Sequence, residues 1–251
     1  MEKITEGIVL KQVKTVKGLR MVTVFTKDLG KIQAGTTMSE YQRGKAALTL
    51  RPFSYGTYHI NSKNGYHFLN KAESIKYYYN LCQDMDKYAY GAYVLEFSNK
   101  YLEEEMPLPE YFNLLLDYLT LLEGRKKDFD MLHTAFQIKA LSMAGTMPIV
   151  THCVSCSKKE NLNTFSVKDG GTLCDSCKDI KDSNEPGSLI YHINLGIINA
   201  ITFLGKTDIT ALEKLKLDSN ILEPLKSIIN DYLKYHLDMG DLLSERCFMI
   251  T

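Results

Sequence analysis

Hydrophobic and polar residues alternate along roughly the first 75 residues of the chain, and this alternation predicts β-strands. The stretches EGIVLKQVKTV and LRMVTVFTKDLGKIQAG mix β-branched with polar residues, and a turn is expected at Asp28-Leu29-Gly30. The stretch RPFSYGTYHINSKNGYHF has alternating aromatic residues and an Asn64-Gly65 pair, which is typical of a β-hairpin. Short strands at this spacing indicate a small closed β-barrel.

The hydrophobic period changes near residue 73 and then predicts helices. Apolar residues recur at helical spacing at Tyr90, Tyr93, Val94, Phe97 and Tyr101. The next two helices are expected from Pro109 to Gly124 and in a segment that ends at Gly145. Beyond residue 180, helices are expected in HINLGIINAITFL, TALEKLKL and ILEPLKSIINDYLKYHLDMG, with Pro224 in the first turn of the last one.

Four of the six cysteines form two C-x-x-C pairs, Cys153/Cys156 and Cys174/Cys177, between these helical segments. The 17 residues between the pairs match the spacing of zinc sites, in which four thiolates surround the ion at about 2.3 Å. The intervening FSVKDGGTL predicts a hairpin that turns at the two glycines. The pattern therefore predicts a ribbon around one structural Zn²⁺.

Two other uses of these cysteines fit the sequence less well. A thioredoxin-type site needs one C-x-x-C at a helix start within a βαβ unit, and the sequence has no such context. A catalytic zinc keeps an open coordination position, whereas four cysteines fill all four. We expect His152 to be a neighbour of the site, and Cys82 and Cys247 to be ordinary buried thiols.

Composition places the chain among ordinary globular proteins, with 45% hydrophobic and 24% charged residues. It has no apolar run near the roughly 20 residues that span a bilayer. Its N-terminus lacks the apolar region of a signal peptide, so we expect a cytoplasmic protein. Thiols stay reduced in the cytoplasm, which favours metal binding over disulfides.

The formal net charge of zero hides an uneven distribution. Residues 1–80 hold 13 Lys and Arg against 5 Asp and Glu, a balance of +8, and the remaining residues carry −8. This asymmetry suggests that the N-terminal part contacts an anionic partner such as nucleic acid. A solvated lysine-rich surface is the alternative interpretation.

Taken together, the motifs resemble the RecO family of bacterial recombination-repair proteins over nearly the whole chain. The resemblance rests on GIVLK, VTVFTKDLGKI, LRPFSYGTY, YAYGAYVLEF, FQIKALSMAG followed by CVSC, FSVKDGGTLCDSC, and the tail YLKYHLDMGDLLSERCF. It implies a multidomain α+β protein with three parts. These are an oligonucleotide-binding (OB) barrel over 1–80, a helical domain over 81–149 and 181–251, and an inserted four-cysteine zinc ribbon over 150–180.

The resemblance also implies a function. A RecO-like protein binds single- and double-stranded DNA, anneals complementary strands, and works with RecR to load RecA onto DNA coated by single-strand-binding protein (SSB). A pocket on the helical domain is expected to receive the C-terminal tail of SSB. Two segments depart from the family's usual basic pattern, GTTMSEYQRGKAALTL and LLSERCFM.

Basic residues of the N-terminal part are the candidate DNA contacts, since a positive groove and stacked aromatic rings hold a strand on an OB barrel. The candidates are Lys11, Lys14, Lys17, Arg20, Lys31, Arg43, Lys45 and Arg51, with Lys27 beside them. No helix typical of base readout is evident, so binding without base specificity is expected. Phe25, Phe53, Tyr55 and Tyr58 could stack on bases, but alternation favours the barrel core for the two phenylalanines, and Tyr41 is a better stacking candidate.

The sequence has no recognisable catalytic motif. Gly44-Lys45 lacks the preceding glycine of a P-loop, and G-x-S-x-G, H-E-x-x-H and G-x-G-x-x-G are missing. A non-enzymatic DNA-binding mediator is therefore expected. The alternatives are a metal-dependent nuclease with a structural zinc, and a zinc-stabilised adaptor that contacts protein alone.

Overall fold

The N-terminal part forms a closed five-stranded barrel in the computed structural model, which describes residues 2–14, 20–38, 48–184 and 189–249. Its strands are β1 (Glu2–Lys14), β2 (Arg20–Thr26), β3 (Gly30–Thr36), β4 (Ser54–Lys63) and β5 (Tyr66–Tyr77). Their order around the barrel is β1-β2-β3-β5-β4, with antiparallel neighbours except β3 and β5, which are parallel. This topology confirms the predicted OB-type barrel.

Alternate residues of each strand fill the barrel interior, as the sequence alternation predicts. The interior cluster consists of Val9, Val22, Val24, Ile32, Ala34, Leu50, Tyr58, Ile60 and Leu69. The predicted hairpin between β4 and β5 turns through Asn64 and Gly65, both at positive φ (53° and 76°). Two left-handed residues suit the twist of paired strands, which explains why this dipeptide sets the register of the two strands.

Six α-helices lie in the described part of the chain. They are α1 (Met85–Tyr101), α2 (Pro109–Gly124), α3 (Phe129–Met143), α4 (Asp175–Asn184), α5 (Leu195–Lys206) and α6 (Ser219–His236). The expected ends of α2 are confirmed. Gly145 follows α3 with a φ of 69°, and the N–H of Thr146 bonds the carbonyl of Leu141 at 3.0 Å, which closes the helix.

Helix boundaries differ from the sequence prediction at three places. Strand β5 continues to Tyr77, and α1 starts at Met85 because Asp84 caps the N–H of Lys87 at 3.1 Å. The segment TALEKLKL forms only a short 3-10 helix, Ile209–Leu212. Helix α6 begins at Ser219, with Asp218 as its N-cap, so that Pro224 lies inside the helix.

The backbone groups into two compact units, residues 1–124 with 242–251, and residues 125–241. Helices α1 and α2 belong to the first unit with the barrel, and α3 to α6 belong to the second with the ribbon. Within the second unit, α3 packs against α5 and α6. In the sequence, the ribbon lies between α3 and α5. The three-part boundaries at residues 80, 150 and 180 stay predictions.

The ribbon consists of three short antiparallel strands, β6 (Thr164–Ser166), β7 (Gly171–Leu173) and β8 (Ile190–His192), in the order β7-β6-β8. Helix α6 supports it through aromatic and polar contacts. The Nε2 atom of His236 lies 2.7 Å from the carbonyl oxygen of Val167, and the rings of Phe165 and Tyr232 are 5.9 Å apart. Among the described residues, no helix combines the length and apolar character that crossing a membrane requires.

Candidate metal centre and nucleic-acid interface

The four cysteines of the two C-x-x-C pairs meet at one point of the ribbon. Their sulfur atoms all lie within 4.8 Å of one another, and the Sγ atoms of Cys156 and Cys174 are 3.6 Å apart. A tetrahedral site with metal–sulfur distances of about 2.3 Å would place its sulfurs roughly 3.8 Å apart. The cluster could therefore hold a metal ion with little rearrangement.

Backbone turns hold each cysteine pair in this geometry. The N–H of Cys153 donates to the carbonyl of Lys158 at 2.7 Å, and the N–H of Ser157 donates to the carbonyl of Cys153 at 2.8 Å. In the second pair, the N–H of Cys177 donates to the carbonyl of Cys174 at 3.0 Å, at the start of α4. The two-residue spacing thus folds each pair back so that both sulfurs point to one side.

Hydrogen bonding prepares one thiol of the cluster for ligation. Burial opposes ionisation of Cys153, but backbone N–H groups of Cys174, Cys156 and Ser155 outweigh it and lower the pKa of the Cys153 thiol to about 6. For Cys177, the Ser155 hydroxyl lowers the pKa, but hydrogen bonds with the neighbouring thiols outweigh it and raise the pKa to about 12. A bound cation would release the remaining protons, because thiolates are the ligating species.

The other cysteines and His152 lie apart from the cluster. The four sulfurs group without His152, whose Nδ1 atom is 3.0 Å from the hydroxyl of Thr151. The expectation that Cys82 and Cys247 are buried is wrong, since both are exposed. Cys82 lies within a short 3-10 helix, Tyr79–Gln83, where its sulfur lies 3.5 Å from the hydroxyl of Tyr77.

The structure places five of the eight basic candidates. Lys11 and Lys14 are exposed on β1, and the strand register sets Lys14 opposite Arg20, which is only 9% exposed. Lys31 is half-buried, and its Nζ atom donates to the carbonyl of Asn99 at 2.8 Å. Arg51 is exposed in the turn before β4. The strand pairing therefore brings Lys14 and Arg20 together, but does not join Lys31 or Arg51 to them.

The remaining candidates, Lys17, Arg43 and Lys45, lie outside the described residues, as does Tyr41. Lys27 is exposed in the turn between β2 and β3. No contact among the described residues tests whether the basic candidates bind DNA. The assignment of DNA-contacting residues therefore stays a prediction.

The four aromatic residues considered for stacking are packed against other parts of the first unit. Tyr58 lies in the barrel interior, where its hydroxyl donates to the carbonyl of Thr49 at 3.0 Å. The expectation that Phe25 and Phe53 fill the barrel core is wrong in detail. Both are buried, but outside the interior cluster, beneath helices: the ring of Phe25 lies 5.5 Å from that of Phe112 on α2.

Phe53 and Tyr55 also pack against aromatic residues of the helices. The ring of Phe53 lies 5.7 Å from that of Tyr88 on α1. Tyr55 packs near Phe112, and its hydroxyl donates to Glu6 at 2.6 Å. Strand alternation distinguishes two faces, but it does not reveal that helices cover the outer face here.

Two family models match the chain, and together they cover most of it. The model described as "Recombination protein O N terminal" matches residues 1–78, and "Recombination protein O C terminal" matches residues 82–246. The chain belongs to the RecO family.

Individual relatives agree with this membership. The DNA repair protein RecO of Alkaliphilus metalliredigens is 30% identical over 93% of this chain and 93% of the relative. The RecO of Caldanaerobacter subterraneus is 28% identical over 94% of this chain and 93% of the relative. The RecO of Bacillus pumilus is 34% identical over 69% of this chain and 67% of the relative.

This RecO-family barrel also carries exposed apolar residues that the sequence analysis missed. Val13, Met21, Tyr66 and Phe68 are exposed by 47%, 36%, 71% and 52% on the outer face of the barrel. Met21, Tyr66 and Phe68 line an open cavity of about 450 Å³ beside β3 and β5. The alternation in NGYHFLN, where Tyr66 and Phe68 share one face and Leu69 is buried, could have indicated them.

Proposed function

We propose that this protein is a DNA repair and recombination mediator that binds single- and double-stranded DNA and anneals complementary strands. Together with RecR, it helps to load RecA onto SSB-coated single strands. The observation that carries this proposal is the match of both RecO family models across residues 1–78 and 82–246. The closed barrel with OB topology supports it, since OB-folds bind oligonucleotides.

DNA binding is assigned to the basic N-terminal part. The excess of 13 Lys and Arg over 5 Asp and Glu in residues 1–80 favours phosphate, and the remainder of the chain carries an acidic excess. Lys11, Lys14 and Arg51 are exposed and suited to phosphate contacts. Arg20 and Lys31, together with Lys17, Arg43 and Lys45 from the undescribed segments, complete the proposed set.

The metal that we propose for the ribbon is one structural Zn²⁺ per chain, bound by Cys153, Cys156, Cys174 and Cys177. The sulfur spacing and the all-thiolate donor set support this choice. The ion cross-links two turns that have few apolar side chains of their own. Its role is to fold the ribbon, because four protein ligands leave no position for a reacting water.

The partners of the proposed mediator are RecR, the C-terminal tail of SSB, and the RecA filament indirectly. Annealing and loading are binding functions, so we propose that the protein makes and breaks no covalent bonds. It would act at the nucleoid in the bacterial cytoplasm. The family names of the relatives support a role in DNA repair, and the partners follow from the family resemblance.

A salt series tests the DNA-binding part of this proposal. Fluorescence anisotropy of a labelled single strand should show an affinity that falls linearly in a plot of log K against log salt. Each phosphate contact adds about −0.7 to the slope for a single strand. The variant Lys14→Gln should make the slope shallower by about 0.7. Lys214→Gln, an exposed lysine of the second unit, is the matched control and should leave the slope unchanged.

Electrophoresis of the same strands in the presence of Mg²⁺ tests annealing and the proposed lack of catalysis. Complementary strands should form a duplex faster with the protein than without it, and both should stay intact. Shortened strands would instead favour a nuclease. An affinity that is absent at every salt concentration would favour an adaptor that contacts protein alone.

A further inference from the structure

The segment that connects α1 to α2 lies along one edge of β3. Strand β3 pairs with β5 through only two residue pairs, which leaves the start of this β3 edge open to another segment. There Glu104 forms a parallel bridge with Lys31, and the N–H of Glu105 donates to the carbonyl of Lys31 at 2.9 Å. We call residues 103–106 the acidic strap, because its first three residues are glutamates.

Contacts with both β3 and β5 hold the acidic strap in place. The Nε2 atom of Gln33 on β3 donates to Glu104 at 2.6 Å, and Nε2 of His67 on β5 lies 2.9 Å from Glu105. A Cβ atom at Gly30 would lie 2.4 Å from the strap backbone, so glycine allows the strap to approach this closely. Glu105 has a left-handed φ of 58°, a conformation that surrounding contacts must impose on a residue other than glycine. The strap therefore has a defined position on the barrel.

The acidic strap places negative charge beside a lysine that belongs to the proposed DNA contacts. Lys31, Glu104 and Glu105 line the same open cavity, together with His67, which carries charge only when it is protonated. The Nζ atom of Lys31 donates to the carbonyl of Asn99 at 2.8 Å, so the ammonium group is already engaged by the protein. Like charges within the screening length of about 10 Å at 0.1 M salt repel each other. A phosphate that approaches Lys31 would therefore meet two carboxylates of the strap.

We propose that the acidic strap is an autoinhibitory contact, in which Glu104 and Glu105 keep phosphate groups away from Lys31. This inference rests on the proposed DNA-binding function and adds a limit to it. While the strap keeps its charge, Lys31 contributes little to nucleic-acid affinity, and it becomes a phosphate contact once that charge is removed. The strap thus sets how much of the basic N-terminal part a bound strand can use.

The test removes the charge of the strap but keeps the strap in place. Glutamine at both positions, in the double variant Glu104→Gln with Glu105→Gln, retains a hydrogen-bonding side chain of the same length and leaves the backbone bridge intact. In the salt series with a labelled single strand, its affinity should exceed that of the wild type by about 3- to 10-fold at low salt. Its slope should be steeper by about 0.7, because one phosphate contact is gained. Glu110→Gln, an exposed glutamate in the first turn of α2, is the matched control and should bind like wild type.

Lys31→Gln, made in both backgrounds, separates masking of this lysine from a general effect of net charge. In the otherwise wild-type protein it should change the affinity by less than about 1.5-fold, whereas in the double variant it should remove most of the gain. Such non-additivity is expected only for residues that act on one another. Thermal unfolding checks that each variant is folded. Glu105→Gln alone leaves the contact with Gln33 untouched and should give a smaller gain, which covers the case of an unstable double variant.

The outcomes distinguish the autoinhibitory strap from the broader function. Folded glutamine variants of the strap that bind no more tightly than the wild type overturn the autoinhibition, and wild-type binding leaves the DNA-binding function standing. An equal effect of Lys31→Gln in both backgrounds also overturns it. If neither the wild type nor the strap variants show salt-dependent binding, both proposals are wrong.

Discussion

The barrel and the cysteine ribbon are stabilised by different means. The barrel interior holds nine buried residues contributed by its strands and by Leu50, with further apolar residues packed against them. The ribbon core consists of Cys153, Leu173 and Cys174, with Val154, Leu162 and Cys177 partly buried beside them. Three of these six residues are thus potential metal ligands. The difference teaches that apolar burial can fold the barrel, whereas the ribbon has few apolar side chains and would depend on the proposed Zn²⁺ to fold.

Loss of the metal should give the largest effect, and it should be confined to the unit that holds the ribbon. Cys153→Ser removes one of the four proposed ligands, so the protein should lose most of the proposed Zn²⁺ and the ribbon should unfold. Structural zinc contributes about 10–16 kcal/mol in isolated zinc-finger peptides, so even partial loss should be visible. Metal analysis and thermal unfolding of the purified variant measure both.

Cys82→Ser is the control for this experiment, because Cys82 is an exposed cysteine away from the cluster. It should keep the full metal content and the wild-type melting temperature. Full zinc content and an unchanged melting temperature in Cys153→Ser would show that Cys153 is not a ligand.

A cavity in the barrel should give the next largest effect, without loss of metal. Ile60 is fully buried in the interior cluster, and Ile60→Ala should lower the free energy of unfolding by about 2–5 kcal/mol. Ile75→Ala, on β5 of the same barrel but 53% exposed, should change it by about 0.5 kcal/mol or less. Urea unfolding measures both. Equal effects of the two variants would contradict the assignment of Ile60 to the core.

Mild acid should weaken the unit of α3 to α6 through His133. Burial lowers the pKa of the His133 imidazole to about 3, although Asp130 opposes the shift. An unfolded histidine titrates near pH 6.5, so stability is fully present above that pH and is lost as the pH falls towards the folded pKa. The loss should approach about 1.4 kcal/mol per pH unit.

His133→Gln removes this titrating group and is the comparison to make. Urea unfolding at pH 7 and pH 5 should show a smaller pH dependence in the variant than in the wild type. Acid also weakens thiolate–metal bonds, but that effect is common to both proteins and cancels in the difference. An identical pH dependence would contradict the role of His133.

The smallest effect is expected at the contact between α1 and the C-terminal 3-10 helix, Leu243–Met249. Both carboxylate oxygens of Glu96 accept backbone N–H groups, from Leu243 at 2.9 Å and Ser244 at 2.8 Å. Burial raises the pKa of Glu96, but these hydrogen bonds outweigh it and hold the pKa below its usual range. The stabilisation is therefore present above the unfolded carboxyl pKa and is lost as the pH falls through the lower folded pKa.

Glu96→Gln should cost about 1 kcal/mol at neutral pH, because a charge-assisted pair of bonds becomes at most one neutral bond. Hydrogen exchange of the Leu243 and Ser244 amides measures the change directly and should become faster. Glu103→Gln, at an exposed glutamate just beyond α1, should leave the exchange unchanged. Equal exchange rates in the two variants would show that Glu96 does not hold the segment.

Much of the fold followed from local patterns in the sequence. Asn64-Gly65 marked a hairpin, Pro109 and Gly124 marked a helix, and the cysteine spacing marked the ribbon. These features depend on residues close together in the chain, where backbone preferences and ligand spacing act directly. The TALEKLKL segment was predicted wrongly as a longer helix because Leu212 and Leu215 are three residues apart, a spacing typical of one helix face.

The sequence by itself determined that a β-barrel precedes helices, and which four cysteines share a site, because periodicity and spacing are local properties. Only the tertiary structure decided that Phe25 packs beneath α2, while Phe68 stands exposed beside Gly35. Both phenylalanines lie on the outer face of a strand. The exposures of the two rings differ because α2, which is distant in sequence, covers the outer face at Phe25 and leaves it open at Phe68.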